Sequence, residues 1–415
     1  MTDFYDSLEQ RDPAQREADL LQALPLQIAQ AQTHAPAWRQ ILQGVDASSV
    51  NSRTALAKLP VTRKYELLAR QQEQRAKDVF GGFSALNFGK QMPRVFASPG
   101  PIYEPEGVAK DYWRMARALF AAGFRSGELI HNCFSYHFTP AGSMMESGAH
   151  ALGCSVFPAG TGQTEQQLQA LQELRPSGYS GTPSFLKILL EKAAESQTAL
   201  PFLSKALVSG EAFPPSLRDW LGQRGVTAYQ CYATADIGLI AFETAAREGL
   251  VLDEGVMVEI VRPGSGDPVA EGEVGELVVT TLNPDYPLIR FGTGDLTAVL
   301  PGMCPTGRTN QRIKGWMGRA DQTTKVRGMF VHPGQVDQVV KRFPEVLKAR
   351  LVVSGEMADD QMHLHVETTQ ASDNLQAALA QAVRDVTKLR AEVVFAAPGS
   401  LANDGLVIAD ARSYK

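Results

Sequence analysis

Residues 128–182 read ELIHNCFSYHFTPAGSMMESGAHALGCSVFPAGTGQTEQQLQALQELRPSGYSGT. ELIHNCF has the short apolar run of a strand. AGSMMESGAHALG has the spacing of a helix. CSVFPAG predicts a second strand, TEQQLQALQELRP a second helix, and GYSGTP a third strand end. Strands that alternate with helices predict a parallel sheet covered by helices on both faces. Ligands of such sheets sit beyond the carboxyl ends of the strands, so the loops there are the ones to read for function.

The pattern extends both ways from this stretch. Downstream, SFLKILLEKAAES, KALVSGE and PPSLRDWLGQRG repeat helix, strand and helix. Upstream, AKDYWRMARALFAAGF predicts a helix with Tyr112, Met115, Leu119 and Ala122 on one side and Gly123 as its stop, and RVFA, residues 94–97, predicts a strand. The first 50 or so residues read as helical, with ADLLQALPLQIAQAQ broken at Pro25 and Thr62 offered as an N-cap with Glu66 in the first turn. After about residue 245 the texture changes to short β-rich runs, which predict an antiparallel or barrel-like subdomain over about 246–315. From about 322 a smaller α+β unit begins. The expected fold class is therefore α/β: a large multi-layer amino-terminal domain, 1–320, with a β-rich subdomain, followed by a small α+β domain, 322–415.

Composition removes several classes of function. The 415 residues carry a net charge of −5 with mixed signs and 44% apolar residues, so there is no basic stripe for nucleic acid and no polybasic membrane patch. The polar, acidic start MTDFYDSLEQRDPAQREADL predicts no signal peptide, and no apolar run reaches the roughly 18 residues of a membrane span. Cys133, Cys154, Cys231 and Cys304 are far apart and lack C-x-x-C spacing. They predict reduced thiols in a cytoplasmic protein with no structural zinc. His363 and His365 alternate on a strand and face one side, which reads as a solvated face before it reads as a metal site.

The chemistry-bearing loops are few. In RFGTGD, Gly292 and Gly294 flank Thr293, and Asp295 projects from the start of a strand. It reads either as a clamp for two ribose hydroxyls or as a turn with an Asp cap. GRADQTTKVRG gathers Arg319, Asp321, Lys325 and Arg327 around turns, either a site or a solvated connector. AYQCYATAD puts Tyr232 and Asp236 at a strand-to-turn corner, and LVSGEAF puts Gly210 and Glu211 at another strand end. FPAGTGQTEQQ favours an anion at a helix N-terminus, or simply Thr164 as an N-cap with Gln167 three residues on.

Taken together, GRADQTTKVRGMFVHPGQVDQVV, the long stretch quoted first and GTPSFL resemble the phenylacetate–coenzyme A ligase family within the AMP-forming adenylating enzymes, from about LPVTRKYELL to VIADARSY. The resemblance implies an acyl-adenylate route from a small aryl or acyl carboxylic acid, with ATP or AMP, Mg and coenzyme A. Asp295 falls on the family's ribose-binding Asp, Tyr232 on its adenine-stacking Tyr, and Gly210, Glu211 and Ala212 on the turn that lines adenine. Ala233 and Thr234 lie in the same acceptor motif, and Asp236 falls on its Mg-holding acidic residue. Arg319 falls on the Arg that reaches the nucleotide, with Lys325 grouped beside it, and Asp321 on the hinge about which the small domain swings. Tyr136, His137 and Phe138 sit where the family builds its acyl pocket. A homodimer is the candidate assembly, with neither nucleic acid nor membrane as partner.

Three departures go with the resemblance. The phosphate loop position reads Ala97-Ser98-Pro99-Gly100-Pro101-Ile102, so only Ser98 and Gly100 keep a binding role. Its prolines remove two N–H donors, and Glu104 and Glu106 are expected to repel a polyphosphate. Ala235 replaces a phosphate-binding Ser or Thr. Leu406 stands at the position of the catalytic Lys, with Lys415 at the chain end. The expectation is a ligase with altered or slowed adenylation. The alternative is an impaired homologue that binds AMP or an acyl ligand as a sensor or accessory protein.

Overall fold

The computed structural model describes residues 3–261, 266–320, 322, 324–331, 333–355, 359–401 and 407–412, apart from the side chain of Asp337. The chain divides into two compact units: Met1–Phe213 with Leu217–Met317, and Gly318–Lys415 with Pro214–Ser216.

The larger unit is organised by a nine-stranded sheet. Five strands, Ser155–Phe157, Leu129–Asn132, Gly178–Gly181, Lys205–Val208 and Thr227–Thr234, lie side by side in that order and run parallel. Numbered along the chain this is the order 2-1-3-4-5, whose switch point lies beyond Leu129–Asn132 and Gly178–Gly181. The connecting helices Thr164–Leu174 and Pro183–Glu195 pack on each other, as do Ala116–Ala121 and Ala141–Leu152. Direction reverses at the turn after Thr234, where Gly238–Glu243 pairs antiparallel with Thr227–Thr234 and is followed by Leu250–Leu252. The β-rich stretch is thus divided. Leu250–Leu252, Val299–Leu300 and Arg312–Ile313 extend the main sheet, whereas Val256–Val261, Gly275–Thr281 and Phe291–Thr297 build a second one.

Four local expectations are corrected. The helix Pro13–His34 runs through Pro25 instead of breaking there. A proline in a helix interior costs about 3 kcal/mol. Leu20, Leu24, Ile28 and Ala31 bury one face of this helix, and each fully buried large aliphatic contributes about 1.5–3 kcal/mol. Thr62 is not an N-cap. Thr62–Arg63 pairs parallel with Phe291–Gly292, and the helix Lys64–Gln74 starts after it, with the Arg63 N–H donating to Glu66. The helix expected over 109–124 forms only at Ala116–Ala121. Asp111 and Arg114 take positive φ, and the Asp111 carboxylate accepts the N–H groups of Met115 and Ala116, which moves the helix start to that point. Finally, RVFA is no member of the parallel sheet: Arg94–Ser98 and Ile102–Glu106 form a separate two-stranded hairpin.

The second unit holds a hairpin, Thr324–Val326 with Met329–Val331, and a four-stranded sheet in the order Glu392–Ala396, Gln361–Thr368, Val346–Ser354, Ile408–Asp410. Helices Pro333–Val340 and Asp373–Thr387 pack on each other, and one apolar core includes Val336, Leu351, Leu364 and Leu379. Asp321, expected at the hinge, and Leu406, expected at the catalytic Lys position, lie outside the described residues.

Candidate active site

Asp295 lies inside the strand Phe291–Thr297, not at its start and not in an isolated turn. The register slips opposite Glu276 and Val278, and Gly294 takes φ +73 to follow the bulge. Thr293 braces this bend, donating to the Leu277 carbonyl at 2.9 Å and accepting the Asp295 N–H at 3.1 Å. The half-buried Asp295 carboxylate accepts the Tyr232 hydroxyl at 2.6 Å and the Trp316 indole N–H at 3.2 Å. The two nucleotide residues expected from the sequence are therefore brought together, from two different sheets.

Asp236 lies in the turn that ends Thr227–Thr234. Thr234 shapes that turn by accepting the Ile237 N–H at 3.2 Å. Asp236 is 4% exposed and pairs with Lys64 Nζ at 2.8 Å through Oδ2, while its Oδ1 is buried with no hydrogen-bond partner among the described residues. Lys64 opens the helix after Thr62–Arg63, and those two residues pair with the strand that carries Asp295. The same pairing joins Arg63 to Glu276, whose carboxylate also accepts the Gly294 N–H at 3.2 Å. Strand pairing thus fixes the cation and the bulge in one frame.

The hairpin at the phosphate-loop position turns its carboxylates inward. Glu104 is fully buried and accepts both the Ser98 hydroxyl at 2.5 Å and the Ser98 N–H at 3.2 Å. Burial first, and then the Asp236 charge, push its pKa up to about 8 against the opposing pull of Lys64 and Ser98. Glu106 does not face a ligand as expected. It pairs with Arg94 at 2.7 Å and accepts the Trp113 indole N–H at 3.1 Å. The Tyr286 hydroxyl is buried without a hydrogen-bond partner among the described residues. Its pKa is raised by burial and then by Glu104 and Asp236. Gly100 is exposed between the two prolines.

Around the switch point, Tyr136 is tied down. Its hydroxyl accepts from Asn132 at 2.7 Å and donates to Glu146 at 2.8 Å. His137 is exposed and Phe138 is 81% exposed, so of the three expected acyl-pocket residues only Tyr136 is packed in. The Phe138 carbonyl accepts the Ala97 N–H at 2.7 Å, which ties this loop to the hairpin. Glu211 accepts the Ser184 hydroxyl at 2.5 Å, and Gly210 takes φ +83 in the turn that leads to Ala212. Ala233 lies at the register shift between Thr227–Thr234 and its neighbour.

At the FPAGTGQ loop the helix Thr164–Leu174 begins without a side-chain cap. Gln163, not Thr164, precedes the helix, and Gln167 uses its amide to hold the carbonyls of Gly160 and Gly162 at 2.9 and 2.8 Å. In the second unit, Arg319 and Lys325 each lie 5.9 Å from the Phe330 ring centre. All four cysteines are buried and unpaired, and the described residues contain no group of three His, Cys, Asp or Glu fit for a metal. His363 and His365 share a strand face with rings 6.4 Å apart, and His363 lies 3.5 Å from Glu392. An open surface depression lined by Gln163, Thr164, Ile188 and Glu191 shares no residue with the Asp295 and Asp236 contacts. No helix among the described residues is long and apolar enough to cross a membrane.

Sequence reasoning missed Lys64, Trp316 and Tyr286, and it misjudged where Glu104 points. Lys64 meets Asp236 across 172 residues, which no local pattern encodes. Glu104 had a usable signal. Two strands joined across Pro99-Gly100-Pro101 put Phe96, Ser98, Ile102 and Glu104 on one face.

Comparison with known proteins gives a consistent picture. A family profile described as "AMP-binding enzyme" matches residues 109–283, and one described as "AMP-binding enzyme C-terminal domain" matches 328–406. A phenylacetate-coenzyme A ligase of Thermus thermophilus is 32% identical over 83% of this chain and 79% of its own length. The phenylacetate-coenzyme A ligase of Escherichia coli is 30% identical over 78% and 77%. A solved 2-hydroxyisobutyryl-CoA ligase, in complex with 2-HIB-AMP and CoA, superposes with a TM-score of 0.82 at 25% identity, covering 98% of this chain and 92% of that one.

Proposed function

This chain belongs to the phenylacetate–coenzyme A ligase family of AMP-binding enzymes, and on that premise we propose that it is an acid–thiol ligase that works through an aryl- or acyl-adenylate, with a slowed adenylation step. The observation that carries the reading is the Tyr232–Asp295 pair beside the Asp236 turn. Asp295 would hold the ribose hydroxyls, Tyr232 would stack on adenine, and Gly210, Glu211 and Ala212 would line its edge. Tyr136, with His137 and Phe138, would border the acyl group. Arg319 and Lys325 would approach the nucleotide from the smaller unit, about a hinge at Asp321.

In the first half-reaction a carboxylate oxygen attacks the α-phosphorus of ATP and pyrophosphate leaves. Negative charge gathers on the phosphoryl oxygens, so cations and N–H donors must already be in place. Asp236 Oδ1 suits a single protein ligand to a magnesium ion held mainly by phosphate oxygens, and such an ion would offset that charge when bound. The remaining supply is thin: Leu406 brings no cation, Pro99 and Pro101 bring no N–H, and Lys64 is engaged by Asp236. In the second half-reaction the thiol sulfur of coenzyme A bonds to the acyl carbon, the bond from that carbon to the AMP oxygen breaks, and the thiol proton is lost. This step makes no demand on the phosphate loop. The same reading takes a small carboxylic acid and coenzyme A as partners, and a cytoplasmic homodimer as the assembly.

The Ser98–Glu104 contact favours a second reading, in which the chain binds AMP or an acyl ligand without completing a reaction. Pyrophosphate release and thioester formation separate the two. They are measured with a panel of aryl and acyl acids, with and without coenzyme A, and then with a synthetic acyl-adenylate. Slow pyrophosphate release with thioester from the supplied adenylate supports the ligase. No thioester from any adenylate, with AMP still bound, supports the binding protein.

A further inference from the structure

The hairpin Arg94–Ser98 with Ile102–Glu106 carries a contact that the proposed reaction does not use. A phosphate-cradling loop works through the N–H and hydroxyl donors that follow its strand. Here Pro99 and Pro101 have no N–H, and Ile102 pairs with Ser98 in the hairpin ladder. Ser98 therefore carries most of the loop's donor capacity. Both of its donors, the N–H and the hydroxyl, already meet one carboxylate, that of Glu104. Ser98 is 2% exposed and Glu104 0%, so the pair is sealed from water. The carboxyl group places its two oxygens on the two Ser98 groups, where two oxygens of a phosphate would otherwise lie.

We propose that Glu104 is a built-in occupant of the phosphate subsite, so that this chain takes a ligand with a single phosphate, a nucleoside monophosphate or acyl-adenylate, and disfavours the triphosphate. The inference rests on the nucleotide reading given above. A second and third phosphate directed at Ser98 must remove Glu104 from both donors and leave a buried carboxyl group without partners, which is costly. A monophosphate held at the Asp295 end requires no such displacement.

The test is a parallel calorimetric titration of AMP and of ATP with magnesium, on the wild-type chain and on Glu104→Ser and Glu104→Gln. The wild type should bind ATP at least about tenfold more weakly than AMP, a difference of about 1.4 kcal/mol. Glu104→Ser, which vacates the subsite, should recover most of that difference while AMP affinity stays within about threefold. Glu104→Gln, which keeps a side chain of the same size over Ser98, should recover less than Glu104→Ser. Equal affinity for ATP and AMP in the wild type overturns the inference, and does so without either variant if both fail to fold. So does a ratio unmoved in Glu104→Ser, or a gain in Glu104→Gln as large as in Glu104→Ser. Failure of the wild type to bind AMP at all would instead remove the nucleotide reading on which the inference stands.

Discussion

Replacing Asp295 by alanine tests the nucleotide reading at its strongest contact. The carboxylate accepts the Tyr232 hydroxyl on Oδ2 at 2.6 Å and the Trp316 indole on Oδ1 at 3.2 Å. Each carboxylate oxygen has about two acceptor sites, so each can serve a protein donor and a ribose hydroxyl together. A hydrogen bond to a charged group is worth about 1.5–3 kcal/mol. Two such bonds set an upper bound of about 3–6 kcal/mol, but Asp295 is half-buried, and water recovers a share of it. We expect Asp295→Ala to weaken AMP binding by about 1.4–3 kcal/mol, which is about 10- to 150-fold in Kd. Isothermal titration at fixed ionic strength measures it. Tyr232 and Trp316 lose a partner in the same variant, so a thermal melt must accompany the titration. Asp295→Asn keeps the shape and one acceptor oxygen and should fall between wild type and alanine. An unchanged AMP affinity in an alanine variant that melts like the wild type would refute the ribose role.

Leu406→Lys should raise acyl-adenylate formation, read as pyrophosphate release, by less than about a hundredfold, because the Ser98–Pro101 loop stays poor in donors. Thioester formation from a supplied adenylate should not change with it, and a loss there would show that the residue acts elsewhere. Limited proteolysis should cut first between roughly 315 and 330, where the two compact units join, and a first cut elsewhere would argue against a hinge at Asp321. Burial raises the Asp111 pKa from 3.8 to about 6, so the folded chain holds that proton more tightly than the unfolded one. Its contribution to stability is fully present below about pH 4 and is lost as the pH rises to about 6. Asp111→Asn, which cannot ionise, should flatten that part of the denaturation profile between pH 4 and 6, and an unaltered slope would contradict the assignment.

What could be read from the sequence was what local spacing encodes. The alternation in residues 128–208 specified parallel strands and their helices because each apolar run is short and bounded by Gly or Pro. That Tyr232 and Asp295 belong to one nucleotide site was expected from motif resemblance alone, since 63 residues and two different sheets separate them, and their hydrogen bond appears only in the structure. Burial overrode propensity at Pro25, where the packed face of Leu24 and Ile28 keeps the helix continuous. Side-chain capture overrode it at Asp111, whose carboxylate moves a helix start to Ala116. Charge was the hardest to place. Glu104 and Glu106 read as a pair repelling phosphate, yet Arg94 and Trp113 take Glu106 while Ser98 takes Glu104. Their roles depend on cross-strand neighbours, and these appear only once the hairpin register is known.

The first helix is anchored by residues that lie far along the chain. Arg16 donates to Glu254 at 2.9 Å and to the Thr309 hydroxyl at 2.8 Å, 238 and 293 residues away. The segments flanking it are held likewise: Arg117 holds Asp6 before the helix, and Trp38 after it donates to the Pro287 carbonyl at 2.6 Å. On the ribosome these partners do not yet exist when the helix emerges. At about 5–20 residues per second, roughly 15–60 s of synthesis separate the two ends of the Arg16–Thr309 contact. For that interval the apolar face formed by Leu20, Leu24 and Ile28 waits without its final cover.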